Sequence, residues 1–196
     1  DVPNGLACRC SCLGCGGPLI ACQGLRRVAH FRHSVSGEGA GCNETALHKA
    51  AKLILTEAMR VALPKELLPP MDRYPEAVGF DEVFLEYRLH TDEGTKIVAD
   101  AYGRGDIPLV IELRVCHATG SEKAEALRKL GVAAIEIDLS DALHEAWDWQ
   151  SLRHAVLVET ARRKWIFAPE REDTSPATPP EGNPPSEGCS RWRFAI

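Results

Sequence analysis

Apolar and polar positions alternate with two different periods along the middle of the chain. In "NETALHKAAKLILTEAMRVAL", Leu47, Ala50, Ile54, Ala58 and Val61 recur at helical spacing, with Asn43 placed to cap the start. This predicts a helix that the prolines of "PKELLPP" bring to an end. "EVFLEYRLH" then alternates every second residue, as a half-buried strand does. "TDEGT" reads as a turn, "KIVADAYG" as a second strand, "RGD" as another turn and "PLVIELRV" as a third strand. "SEKAEALRKLG" opens on a capping Ser and closes on Gly, so a second helix is expected there. "VAAIEIDLS" is a fourth strand, and "DALHEAWDWQSLRHAVLVETARR" is a final helical region broken near Trp149. A helix between the third and fourth strands is a crossover, which implies parallel pairing in a mixed sheet. The expected class is α/β.

Composition divides the 196 residues into three parts. Residues 1–43 are rich in Cys, Gly and His and form a small module. Residues 44–168 carry the helix and strand patterns, and a hydrophobic content of 44% over the whole chain suits a packed core. Residues 169–196 begin "PEREDTSPATPPEGNPPSEG", too poor in apolar residues to offset its ordering entropy, so a disordered tail is expected. No stretch approaches the roughly 18 apolar residues of a membrane helix, and no charged-then-apolar signal segment leads the chain. A cytoplasmic protein is the expectation. The net charge of −5 is unevenly spread. Residues 1–60 hold seven Lys/Arg against four Asp/Glu, and residues 61–164 hold thirteen against nineteen. A basic end on an acidic protein is compatible with nucleic acid.

Six of the eight cysteines precede residue 43, and without a signal segment they point to a metal rather than to disulfides. Cys12 and Cys15 have the two-residue spacing of a metal knuckle, followed by a Gly-rich turn whose amides can face thiolate sulfur. "HFRH" follows at 30–33, and Cys42 precedes the first helix. Cys12, Cys15, His33 and Cys42 make a closed tetrahedral zinc set, with His30 as the alternative to His33. Cys8 and Cys10 are one residue apart, which suits a strand better than a knuckle. Cys22, Cys116 and Cys189 read as packing or tail residues.

Two acids interrupt otherwise apolar strands: Asp100 in "KIVADAYG" and Glu112 in "PLVIELRV". A strand as apolar as the second of these is expected to be central and covered on both faces. A buried acid there needs a partner. Acids on adjacent strands can share a hard divalent ion such as Mg²⁺, while Arg114, two residues past Glu112, points from the same face. Glu44, His48 and Lys52 form one polar stripe on the first helix, a common pattern for an exposed helix face.

"CLGC", "HFRH", "ETALHKAAK", "VADAYG", "IELRVCH" and "IEIDLS" together resemble the competence protein CoiA-like family over roughly residues 8–168. The resemblance implies an N-terminal zinc module followed by a PD-(D/E)XK restriction-endonuclease-like core, order αβββαβ, with a mixed central sheet. It also implies a metal-dependent nuclease that hydrolyses DNA phosphodiester bonds. Asp100 and Glu112 match the family's two acids for Mg²⁺ or Mn²⁺. Glu44 matches the first-helix acid, and His48 the His after it. Arg114 stands where the motif has lysine. Arginine can clamp a phosphate but is a poor proton donor or acceptor. Lys123, in "HATGSEK", offers a displaced lysine. Arg26, Arg27 and Arg32 of the zinc module would hold the nucleic-acid backbone. The rival expectation is a non-catalytic nucleic-acid-binding or adaptor protein on a nuclease-derived fold. A weaker one treats the acids as an ion network in a protein–protein module.

Overall fold

A computed structural model describes residues 2–24, 29–34, 42–65, 73–143 and 147–170, with the side chains of residues 42–44 outside the description. The expectations for Arg26 and Arg27, for the side chains of Glu44 and Cys42, and for the tail from residue 171 onward therefore lie outside the described residues. The chain divides into two compact units, with the boundary after Ala50.

In the first unit, β1 (Leu19–Cys22) and β2 (His30–His33) pair antiparallel, Leu19 opposite His33 and Cys22 opposite His30. Bridges from Gly5 to Ala21 and from Ser11 to Pro18 lay the preceding segment along this hairpin. Cys8 ends a 3-10 turn, Leu6–Cys8, in place of the expected strand. Arg9 follows in the left-handed region, at φ 51. The helix α1 (Cys42–Ala58) begins in this unit and continues past the boundary.

The second unit is mixed α/β. The helix α1 stops at Ala58, short of the expected Val61, because Met59 takes a left-handed φ of 52. Arg60–Ala62 then leaves as strand β3 and pairs with β4 (Ala77–Gly79). A five-stranded mixed sheet follows, in the order β5 (Glu82–His90), β6 (Lys96–Arg104), β7 (Leu109–Arg114), β8 (Ala133–Asp138), β9 (Arg163–Phe167). The helix α2 (Ser121–Leu130) crosses between β7 and β8 and makes that pair parallel, as its position in the sequence requires. Its N-cap is Gly120 rather than Ser121, and its C-cap is the left-handed Gly131. The final helical region resolves into a 3-10 turn at Ser140–Leu143, α3 (Trp149–Leu157) capped by the Asp148 side chain, and a second 3-10 turn at Thr160–Arg162. The edge strand β9 then follows, where no strand was expected.

Leu109 to Leu113 of β7 and Ala133 to Ile137 of β8 are all buried, so both strands are covered on both faces. Ala126 and Leu127 of α2 pack with Tyr87, Tyr102, Val110 and Ala134. The rings of Tyr87 and Tyr102 stack there with centroids 4.6 Å apart. Pairing of β6 with β7 covers Ala101 to Gly103 against Leu109 to Ile111. One step beyond, the side chain of Asp100 accepts from the Leu113 N–H, at 2.9 Å. The two strands thus fork at Asp100 and Glu112, and this fork positions the acids.

Candidate functional site

The Cys/His centre rests on a tight turn. The Cys12 N–H donates to the Gly17 carbonyl and the Gly16 N–H donates to the Cys12 carbonyl, both at 2.8 Å. Gly16 sits at φ +74, a conformation that glycine adopts without penalty. The Gly17 N–H donates to Cys15 Sγ at 3.4 Å, the amide-to-sulfur contact expected of such a turn. Across the hairpin, His33 Nε2 lies 3.5 Å from Cys15 Sγ. Ligand atoms of Cys12, Cys15 and His33 all lie within 4.8 Å of one another, the one such group of three or more His, Cys, Asp or Glu among the described residues. Two thiols and an imidazole at this spacing can bind a metal such as zinc. His30 is three residues from His33 along β2, so it points to the other side of the strand. The helix α1 is tied to the same turn, because Lys49 Nζ donates to the Gly14 carbonyl at 3.1 Å.

At the strand fork in the second unit, Asp100 Oδ1 lies 2.8 Å from Lys52 Nζ, while Oδ2 holds the Leu113 amide. Lys52 also pairs with Glu86 on β5. It is only 9% exposed, so the solvated helix face expected for it is not observed. Burial alone would lower its pKa, but bonds to Asp100 and Glu86 outweigh that and hold it raised, so the ammonium stays charged. Glu86 stands at φ 51, which costs about 1 kcal/mol for a residue with a side chain.

Glu112 is 4% exposed. Its Oε2 lies 2.6 Å from Lys123 Nζ of α2, and its Oε1 is buried without a hydrogen-bond partner among the described residues. Burial pushes its pKa up to about 7; Lys123 pulls it back only in part, and the nearby Asp100 charge adds to the rise. Asp100 is thus near enough for its charge to act on Glu112, whose Oε1 is left without a partner among the described residues.

Other residues singled out in the sequence fall elsewhere. Arg114 is spent on Asp138, its register partner on β8, at 2.9 Å. The cation that reaches Glu112 is therefore Lys123. His48 is half-buried on α1, in the first unit. Glu136, quoted in "IEIDLS" without a role, is 2% exposed and lies directly opposite Glu112. It is saturated by Lys164 Nζ at 2.8 Å and by the Thr119 amide. The argument that singled out Glu112, an acid flanked by apolar strand residues, applies to Glu136 unchanged. Among the described residues, no helix is long and apolar enough to cross a membrane. No protein-family model, no curated protein and no solved structure matches the chain.

Proposed function

We propose that the chain is a CoiA-like, metal-dependent nuclease with a PD-(D/E)XK core and a structural zinc module, acting on DNA. The observation that supports this best is the fork itself: two acids on adjacent strands, one with a buried orphaned oxygen, and a helix lysine on the other oxygen of that acid. Asp100 and Glu112 would hold Mg²⁺ or Mn²⁺, which supplies charge neutralisation and an activated water when bound. Lys123, partly exposed on α2, faces the site and can take a phosphate oxygen as charge develops. Arg114, engaged with Asp138, has at most an indirect part. Zinc would be held by Cys12, Cys15, His33 and Cys42, and would hold together a segment too small to build its own core.

Plasmid nicking with Mg²⁺ or Mn²⁺ tests the reading. Wild type cuts and Asp100→Ala does not; a wild type that cuts no form of DNA or RNA sinks it. For the zinc module, one zinc per chain is expected by elemental analysis, lost in Cys15→Ala and His33→Ala and kept in His30→Ala. A second reading, a non-catalytic nucleic-acid binder on the same fold, draws on the two ammonium groups that already engage the acids. It predicts DNA binding without cleavage at any divalent ion concentration.

A further inference from the structure

Lys52 is the one buried lysine among the described residues. Its one ammonium joins two carboxylates of very different exposure: Asp100, whose side chain is 20% exposed, and Glu86, whose side chain is 59% exposed. Asp100 is the acid nearest the fork; Glu86 lies on the neighbouring strand β5, between the pairs Leu85 with Ala101 and Tyr87 with Ala99. Any divalent ion that uses Asp100 Oδ1 must share that oxygen with an ammonium 2.8 Å away or displace it. Two cations on one oxygen repel strongly where water is scarce. The Lys52 ammonium has somewhere to go, because Glu86 already holds it and can hold it alone.

We infer that Lys52 is a built-in countercation, resting on Asp100 while the fork is empty of divalent ion and moving wholly onto Glu86 when the ion arrives. The inference rests on the metal-site reading of Asp100 and Glu112. It makes Lys52 and Glu86 positioning residues that act through Asp100, and it assigns them opposite signs. Lys52 opposes cation binding. Glu86 favours it, by giving the displaced ammonium a partner. Oε1 of Glu112, without a hydrogen-bond partner among the described residues, would be the second acceptor for the ion, whereas the Lys52 ammonium is bonded to Asp100 and Glu86.

Mn²⁺ binding to the zinc-loaded full chain, followed by the loss of the free-ion electron paramagnetic resonance signal, tests this directly. Asp100→Ala serves as the background for any Mn²⁺ bound elsewhere. Lys52→Met is expected to bind Mn²⁺ about tenfold tighter than wild type, the scale on which one close charge shifts an equilibrium. Glu86→Gln is expected to bind about threefold more weakly, the scale of a partly exposed ion pair. Lys52→Arg, which keeps a cation, should stay near wild type. A Lys52→Met protein that binds Mn²⁺ no tighter than wild type overturns the inference and leaves the metal site standing. If wild type binds no more Mn²⁺ than Asp100→Ala, both the inference and the metal-dependent reading fall. Circular dichroism checks the fold of each variant; if Lys52→Met does not fold, Lys52→Gln is measured in its place under the same criteria.

Discussion

Glu112 and Glu136 lie opposite each other on neighbouring parallel strands, and both are almost wholly buried. Their surroundings differ in one respect. Glu136 has a partner on each oxygen, Lys164 and the Thr119 amide, and although burial opposes it these bonds hold its carboxyl below the usual range. Glu112 has Lys123 on one oxygen and nothing among the described residues on the other, and burial raises its pKa to about 7. The same residue type at the same depth is thus a finished structural ion pair on β8 and an unfinished site on β7. Buried acids are ordinarily satisfied, so burial says little by itself, and the oxygen left without a partner is what sets Glu112 apart from Glu136.

The largest test of that contrast is activity. Glu112→Gln should lower Mn²⁺-dependent nicking by about 100-fold or more, the scale of losing one strong electrostatic contact to the reacting charge. Glu136→Gln, which keeps one carbonyl oxygen to accept from the Thr119 amide, should leave nicking within about threefold of wild type. Comparable losses in both would erase the distinction.

Stability against pH should separate the two acids next. The folded pKa of Glu112, about 7, lies above its ordinary 4.5. Its proton therefore favours the folded state below about pH 4.5, and that contribution is lost as pH rises through 7. Glu136 is shifted the other way, so its contribution is present above the ordinary carboxylate range and lost as pH falls through its lowered folded value. In urea titrations, Glu112→Gln should gain on wild type by on the order of 2 kcal/mol between about pH 5 and about pH 8. Glu136→Gln should show its change below about pH 4.5 instead. A flat difference for Glu112→Gln across the neutral range would contradict the assignment.

Apolar replacement at pH 7 gives a smaller contrast. Glu136→Met strands the Thr119 amide and should cost about 2 kcal/mol. Glu112→Met removes an under-satisfied carboxylate and should change stability by less than about 1 kcal/mol. Smallest is Lys164→Met: the lysine side chain is 57% exposed, and its loss should cost about 0.5 kcal/mol, because Thr119 still holds Glu136.

Local pattern reached some of these features and missed others for identifiable reasons. The central burial of β7, the crossover α2 and the parallel β7–β8 pair follow from apolar runs and spacing, and the structure has them. So does the gathering of Cys12, Cys15 and His33, whose turn is coded within six residues. The burial of Lys52 is beyond helical period, which counts neighbours on one helix. What buries it is an ion pair with Asp100, 48 residues later along the chain. "RKWIF" is too short to announce itself as a strand after a helix, so neither β9 nor the partner it brings to Glu136 is legible in the pattern. Arg114 does share a face with Glu112, yet the register of β8 supplies Asp138 as a nearer partner, and register is not written in either strand alone.

The position of Lys164 on the last strand has a consequence for synthesis. On the ribosome, β7, α2 and β8 emerge before the residue that neutralises Glu136, and that acid waits with the Thr119 amide until β9 has cleared the exit tunnel. The sheet can be assembled early but not balanced early. Until then Glu136 keeps one hydrogen bond and lacks its ion pair, a shortfall of about 0.5 kcal/mol that the arrival of β9 removes.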